Sequence, residues 1–279
     1  MRKPRIDIPG CLYHVMARGN ERRNIFLTDA DRCDFLSRLK KGLSDTGNKC
    51  LAWCLMPNHF HLLILRGVRP LSVLMRRLMT GYVVSFNRTH KRAGHLFQNR
   101  YKAILCEEEE YLLELTAYIH LNPLRAGLVP DYKKLKGYKW CGHGVLAGWG
   151  SCEFQDSEYV LGHFGKTRLS AVREYEDFVK GRVTKYKGGE YSGGGIIRSM
   201  GGLEEVIKAE KNGEREIYDD RVLGGGDFVE SVLKHEDNFV EMSRAEVLDK
   251  ILRETGVTEQ EIFSRSRERR IAAARAAYC

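Results

Sequence analysis

Two apolar segments separated by a two-residue polar turn constrain the fold of this chain more than any other feature of its sequence. Residues 50–56 (CLAWCLM) and 59–65 (HFHLLIL) each have the length of one strand, and Pro57-Asn58 between them is typical of a tight turn. The two segments therefore predict an antiparallel hairpin. Its second strand carries two histidines on which the functional interpretation depends.

The segments around this hairpin alternate between strand and helix patterns. A strand is predicted over 12–17 and is followed by a helix that stops at Gly47-Asn48. After the hairpin, apolar residues at helical spacing predict a second helix over 71–86, and a fourth strand is predicted over 101–106. This order is ferredoxin-like, so we expect an α+β fold: an antiparallel sheet with helices on one face.

A third helix is expected after the fourth strand. Glu107 to Glu110 form an acidic first turn that suits the positive end of a helix dipole, and the helical pattern continues to about Leu121. Pro123 disfavours helical geometry in the residue before it. The helix should therefore end just before this proline.

The 279 residues, of which 43% are hydrophobic, are enough for one large domain and a smaller second one. Beyond residue 137 the pattern weakens, apart from a helix predicted over 169–180, and the glycine-rich segment 187–202 is typical of a flexible connector. We therefore expect three regions: a main domain over 1–136, an extension with a linker over 137–202, and a small helical region over 203–279.

The last region has the features of short helices. A helix is predicted over 243–254, Thr258 and Glu261 match a capping box, and a basic, alanine-rich helix follows. A small helical DNA-binding unit and a plain dimerising or packing helix both fit this pattern.

Positive charge is concentrated in the first half of the chain. Residues 1–149 hold 25 Lys and Arg against 12 Asp and Glu, whereas the remaining residues hold 21 against 25. A net charge of this sign can attract a polyanion, of which nucleic acid is the foremost candidate, although a merely soluble basic surface would look the same.

Several classes of protein are not favoured by the sequence. It contains no apolar stretch of about 18 residues and no apolar run near its start, so we expect a cytoplasmic protein that does not associate with membranes. The eight cysteines lack CxxC spacing and are interpreted as reduced thiols. The glycine clusters at 187–202 and 224–226 lack the Lys-Ser/Thr of a phosphate-binding loop, so no nucleotide cofactor is expected.

His59 and His61 lie two residues apart in a predicted strand. Their imidazoles therefore project from one face, whereas Phe60 projects from the other. Two neutral imidazoles side by side can bind a divalent metal and leave positions open for polarising a phosphoryl oxygen. Two sheet histidines without a ligand would show the same pattern.

Tyr118 and Asn122 lie four residues apart on the third helix and share a face. A tyrosine hydroxyl can act as a covalent nucleophile, and an amide oxygen can bind a hard metal such as Mg²⁺ or Mn²⁺. A packing tyrosine and a helix-terminating asparagine are the alternatives. Together with the two histidines, the pair would place a nucleophile beside an electrophilic centre.

These motifs resemble a known family. PNHFHLLI, followed about 55 residues later by AYIHLNPLRAGLV, is similar to the insertion-sequence-200-like single-tyrosine HUH transposases, in particular to the REP-associated tyrosine transposase branch. The segments YHVMARGN, GHLFQNRYKAILC and YKW are similar too. The resemblance covers residues 4–150 approximately.

The resemblance implies roles for four residues: His59 and His61 as metal ligands, Tyr118 as nucleophile and Asn122 as an amide ligand. It implies a ferredoxin-like catalytic domain over 1–136 and a Mg²⁺ or Mn²⁺ cofactor. The implied reaction is DNA transposition by transesterification, in which Tyr118 attacks single-stranded or hairpin DNA to give a 5′-phosphotyrosine and a free 3′-OH. Rejoining reverses this step. A monomer and a homodimer both remain open.

Basic residues of the main domain are the candidates for holding the DNA strand. They are Arg18, Arg22, Arg23, Arg76, Arg77, Arg88, Lys91, Arg92, Arg100 and Lys102. Phe97 and Tyr101 could stack on unpaired bases or belong to the core. His14, in the first strand, is expected to be a satisfied sheet residue.

Two other functions fit the same motifs. A domesticated regulator would keep the basic sheet for binding DNA or RNA without turnover, and a metal-dependent nuclease would use water in place of Tyr118. In relatives with a similar tail, a helix-turn-helix like that of the bacterial replication initiator often follows. The resemblance therefore implies a shortened form of that unit over 203–279.

Overall fold

The computed structural model describes residues 5–184, 219–237, 244–264, 268 and 270–271. Four strands and two helices follow one another in the predicted order. They are β1 (Leu12–Arg18), α1 (Asp29–Thr46), β2 (Lys49–Met56), β3 (His59–Leu65), α2 (Leu71–Thr89) and β4 (Lys102–Cys106).

These strands form one sheet with the order β2-β3-β1-β4-β5, where β5 is the two-residue strand Val222–Leu223. The first four strands are antiparallel, which confirms the predicted α+β fold and hairpin. The sheet is mixed rather than purely antiparallel, because β5 pairs in parallel with β4 through Leu105 and Cys106. A strand of two residues is too short to show an alternating pattern in the sequence.

Side chains alternate between the two faces of β3. Phe60 faces α1, where its ring lies 4.9 Å from the ring of Phe35. His61 faces the opposite side, where α3 (Glu108–His120) packs and places the ring of Tyr118 6.1 Å from that of the histidine. Helices α1 and α2 thus share one face as expected, whereas α3 covers the other, so the sheet is buried on both faces rather than on one.

Residues 132–181, which follow the short helix α4 (Asn122–Arg125), pack onto the same core as α3. They form four helices: α5 (Tyr132–Leu135), α6 (His143–Leu146), α7 (Ser157–Leu161) and α8 (Arg168–Gly181). Their buried side chains, among them Leu146, Val160 and Val179, belong to one hydrophobic cluster with Leu115 of α3. The predicted helix at 169–180 is confirmed. The predicted linker at 187–202 lies outside the described residues.

A buried hydrogen-bond network joins this extension to α3. The hydroxyl of Tyr175 in α8 lies 2.7 Å from Nδ1 of His120 and 2.7 Å from Nδ1 of His143. All three side chains are buried. One hydroxyl can donate to one imidazole and accept from the other, so it satisfies two buried nitrogens at once.

The chain divides into two compact units, residues 1–231 and 232–279. Helix α9 (Gly226–Asp237) crosses this division, and α10 (Arg244–Thr255) and α11 (Glu259–Phe263) belong to the second unit. The capping box of Thr258 and Glu261 is confirmed. Ile251, Val257 and Ile262 form a small core. The predicted boundary at residue 136 stays a prediction, and the alanine-rich tail from 272 onward lies outside the described residues.

None of the helices in the described residues is long and apolar enough to cross a membrane. The seven cysteines in the same part of the chain are free thiols.

Replacing Tyr175 with Phe should destabilise the first unit. The substitution leaves two buried imidazole nitrogens without a partner, so we expect the free energy of unfolding to fall by about 2–4 kcal/mol in urea titrations. Tyr132→Phe is the matched control, because this half-buried hydroxyl makes one bond, to the carbonyl of Glu176. An equal decrease in the free energy of unfolding of the two variants would contradict a stabilising contribution of the His120–Tyr175–His143 network beyond that of a single hydrogen bond.

Stability should also depend on pH through His143. Burial, with a smaller contribution from Lys136, lowers the pKa of this imidazole from 6.5 to about 4. Between these values the unfolded chain binds more protons, so the free energy of unfolding falls as the pH falls, by about 1.4 kcal/mol per pH unit for this residue. Urea titrations from pH 7 to pH 4 measure this slope. It should be shallower in His143→Gln, and an unchanged slope would contradict the assignment.

Candidate active site

A pocket of about 480 Å³ opens where β1, β3 and β4 approach the C-terminal end of α3. It brings together seven of the residues singled out in the sequence, which are Arg18, His59, His61, Arg100, Lys102, Tyr118 and Asn122. Met16, Gln98 and Asn99 also line it and were not predicted. Among the described residues, the lining contains basic, neutral polar and apolar side chains but no carboxylate.

The two histidines of β3 present the same nitrogen to a ligand. Nδ1 of His59 is bonded to Oδ1 of Asn58 at 2.6 Å, and Nδ1 of His61 is bonded to Nε2 of His14 at 2.9 Å. Asn58 is itself held, because its Nδ2 donates to the carbonyl of Arg22 at 3.1 Å. In both rings Nε2 is therefore the nitrogen that remains for a metal.

Both imidazoles are neutral at physiological pH. Burial, assisted by the charge of Arg18, lowers the pKa of His59 to about 4. Burial also lowers the pKa of His61 well below its ordinary range, with a further contribution from His14. A neutral imidazole is the form that binds a metal.

Tyr118 lies in the last turn of α3 and is buried, with 3% of its surface exposed. Its ring packs edge-on against His14 and His61, at 6.1 Å from each ring. The guanidinium of Arg125 lies 4.1 Å from the centre of the tyrosine ring and donates to the backbone carbonyl of Tyr118 at 2.7 Å. The ring of Tyr118 is thus held between two imidazoles and one cation.

Asn122 follows the end of α3 and begins α4 (Asn122–Arg125), with Pro123 in its first turn. Its Nδ2 donates to the carbonyls of Tyr118 and Ile119, at 3.0 and 3.2 Å. These bonds satisfy two carbonyls at the helix end and leave Oδ1 as the atom available to a ligand. Terminating the helix and binding a metal are therefore compatible roles for this residue.

The donor set fits a divalent cation. The ring centres of His59 and His61 lie 5.0 Å apart. Two imidazoles that bind one ion at metal–nitrogen distances of about 2.1 Å have ring centres about 5 Å apart. An amide oxygen adds a hard donor. Within the described residues, no group of three or more His, Cys, Asp or Glu side chains could hold a metal. The donors in the pocket are two imidazoles and one amide, and no carboxylate of these residues lines it. These neutral donors would leave the positive charge of a bound ion uncompensated.

The structure separates the predicted DNA-binding residues into groups. Arg18, Arg100 and Lys102 line the pocket. Arg22 and Arg23 lie on an exposed loop beside Asn58, where Arg23 is paired with Glu21 at 2.8 Å.

The remaining basic residues lie on α2 and the loop after it. Arg76 and Arg77 are on α2, on the other face of the sheet, and Arg77 is paired with Asp45 of α1 at 3.1 Å. Arg88 lies in the last turn of α2, and Lys91 and Arg92 follow it. The structure does not bring these five residues to the pocket.

Phe97 and Tyr101 are both buried. The ring of Phe97 packs against Phe60 at 6.2 Å, and Arg5 lies 4.0 Å from the centre of the Tyr101 ring. Of the two roles considered for these aromatics, the structure supports the core role.

Arg125 was missed in the sequence because Pro123 marks the end of the helical pattern. It follows Tyr118 by seven residues, a spacing that would place both on one face of an uninterrupted helix. Helix α4 follows nearly the same direction as α3, so the guanidinium of Arg125 still lies over the ring of Tyr118.

A family model described as "Transposase IS200 like" matches residues 7–122. Residues 7–122 are therefore an IS200-like transposase domain, which is less than half of the chain. The matched range includes both histidines of β3 and ends at Asn122, so it contains PNHFHLLI and the first residues of AYIHLNPLRAGLV. The resemblance to insertion-sequence-200-like transposases is confirmed over these residues.

Solved structures are also similar to parts of this chain. One, described as a REP-associated tyrosine transposase bound to a REP hairpin, is 16% identical with a TM-score of 0.45, and the similarity covers 55% of this chain and 92% of that chain. Another, described as a transposase from Deinococcus radiodurans R1, is 18% identical with a TM-score of 0.31, over 43% of this chain and 95% of that chain. No curated protein matches the sequence.

Proposed function

We propose that this protein is a transposase that cleaves and rejoins single-stranded or hairpin DNA, with Tyr118 as the nucleophile. His59, His61 and Asn122 would hold Mg²⁺ or Mn²⁺ beside it. The observation that carries the proposal is the edge-on packing of the Tyr118 ring against His61, in one pocket with three basic side chains. A tyrosine that served only to pack the core would not need to line a pocket with basic side chains.

The metal, when bound, supplies a Lewis acid that polarises the scissile phosphate. The protein contributes neutral ligands, because burial keeps both imidazoles unprotonated. No carboxylate of the described residues lines the pocket to repel the DNA. The remaining positive charge comes from Arg18, Arg100 and Lys102, which can hold the phosphates on either side of the cleaved bond.

The reaction exchanges one phosphodiester for another. The hydroxyl oxygen of Tyr118 bonds to phosphorus and gives up its proton, while the bond from phosphorus to the 3′ oxygen breaks and that oxygen gains a proton. The products are a 5′-phosphotyrosine and a free 3′-OH. Because the ester bond is kept, a 3′-OH can later attack it and restore the DNA without a nucleotide cofactor.

Arg125 would restrain the nucleophile. Its guanidinium covers one face of the Tyr118 ring and binds the backbone carbonyl of the same residue. A cation over an aromatic ring stabilises it by about 0.5–2 kcal/mol. Holding the ring in one orientation favours a reactive geometry before DNA binds.

Tyr118→Phe should abolish covalent capture of DNA. Incubating the protein with Mn²⁺ and a single-stranded hairpin oligonucleotide from repeats beside the gene should give a protein–DNA adduct on denaturing gels. Tyr111→Phe is the matched control, since Tyr111 is a buried tyrosine on the same helix that lies outside the pocket lining. Cleavage that persists in Tyr118→Phe but not in His59→Ala would indicate a nuclease that uses water. Absence of any adduct in the native protein would favour a regulator without turnover.

Basic residues inside and outside the pocket should differ in their contribution to DNA binding. Arg100→Ala with Lys102→Ala should weaken binding of single-stranded DNA. The slope of log affinity against log salt should become shallower by about 0.7 for each phosphate that the protein no longer neutralises. Arg76→Ala with Arg77→Ala removes the same charge from α2 and should leave both quantities nearly unchanged. Fluorescence anisotropy at several salt concentrations measures the affinity and its salt dependence. Equal effects of the two double variants would contradict the proposal that the DNA phosphates bind at the pocket.

A further inference from the structure

His14 is a buried histidine of β1 that the proposed reaction does not use. It is 1% exposed and lies opposite Leu63 of β3, so it is the diagonal neighbour of His61 on the same face of the sheet. Its Nε2 lies 2.9 Å from Nδ1 of His61, and the two rings stack with their centres 5.1 Å apart. A buried imidazole bonded to another imidazole is uncommon as a mere packing residue, because apolar side chains fill such positions without a polar group to satisfy.

We infer that His14 is a positioning residue that orients His61 and holds it in the tautomer that binds the metal. The inference rests on the proposed metal site. A neutral imidazole carries one N–H, so a ring that binds a metal through Nε2 must carry its proton on Nδ1. In His61 that proton must then be donated to His14, whose Nε2 accepts it.

The bond between the two rings has only two neutral arrangements. In one, His61 donates from Nδ1 and its Nε2 has a free lone pair for a metal. In the other, His14 donates from Nε2, and His61 carries its proton on Nε2, where a metal cannot bind. The orientation of one hydrogen bond therefore decides whether the site is competent.

Asn58 performs the corresponding task for His59, through a carboxamide oxygen at 2.6 Å from Nδ1. Both acceptors are neutral. A carboxylate in either place would make its imidazole a stronger donor and add negative charge beside the metal. Neutral acceptors preserve the positive field that a phosphate group requires.

His14 also contacts the nucleophile. Its ring lies edge-on to Tyr118 at 6.1 Å, as does the ring of His61. The orientation of the metal ligand and the position of the tyrosine ring are thus set by one packed group of three rings. Any shift of His14 is expected to disturb both.

The first test is the tautomer of His61 in the native, metal-free protein. Long-range proton–nitrogen NMR correlations on protein labelled with ¹⁵N-histidine distinguish the two neutral forms, and the spectra of His61→Gln and His14→Gln assign the signals. We expect His61 to carry its proton on Nδ1. A proton on Nε2 of His61 would overturn the inference, and the tautomer itself is measured in the native protein, with the variants used only to assign signals.

The second test is the affinity for Mn²⁺ alone, followed by electron paramagnetic resonance without DNA. His14→Leu removes the acceptor at similar volume and should weaken Mn²⁺ binding by about 10- to 100-fold. His14→Gln places an amide oxygen near the position of Nε2 and should restore most of the affinity. Equal weakening in both variants would show a role in packing only, and unchanged affinity in His14→Leu would also overturn the inference.

His59→Ala and His61→Ala separate this inference from the proposed function. If both weaken Mn²⁺ binding while His14→Leu does not, the metal site stands and the role of His14 fails. If neither weakens Mn²⁺ binding, the proposed metal site itself fails, and the role of His14 fails with it.

Discussion

The packing of one helix end against one polar patch of the sheet is the interaction on which the rest of the site depends. Helix α3 buries its apolar side chains on the face of the sheet that also carries His14 and His61. Its last turn places the ring of Tyr118 against both imidazoles. Because the sheet fixes the histidines and the helix fixes the tyrosine, any change in how α3 lies on the sheet changes the distance between the Tyr118 ring and the imidazoles.

Other features of the fold serve to hold this helix end. Asn122 and Arg125 bind the carbonyl of Tyr118 beyond the point where the helical pattern stops. On the far side of the helix, Tyr175 binds His120, two residues after the tyrosine. The extension is therefore attached to α3 by a buried polar contact as well as by apolar packing. Such a contact is specific, because a shift of the helix would leave buried polar groups without partners.

The parts of the fold that follow from short-range pattern could be predicted from the sequence. The hairpin around Pro57-Asn58, the alternation that separates Phe60 from His61, and the helix bearing Tyr118 are confirmed because their signals lie within one or two elements. The second face of the sheet was not predicted, because nothing in the pattern of α3 says which side it covers. Strand β5 was not predicted either, since its pairing with β4 joins residues more than 100 positions apart.

The sequence predicted the main residues of the candidate site but not the contacts that support them. Residue type and spacing identified the histidine pair and the tyrosine, but each also fitted an inert alternative, and only the fold brings them into one pocket. The contribution of His14 depends on the register of β1 against β3, which makes it a diagonal neighbour of His61. That of Arg125 depends on the course of the chain after a proline. The first relation cannot be read from linear spacing, and the second can be read only if the helical course is taken to continue past the proline.

The proposed function depends on a divalent metal held by His59, His61 and Asn122 beside Tyr118. Anomalous diffraction from crystals grown with Mn²⁺ tests this site most directly. We expect one strong peak in the pocket, within about 2.3 Å of Nε2 of both histidines. No peak in the pocket, or a peak coordinated by neither histidine, would contradict it.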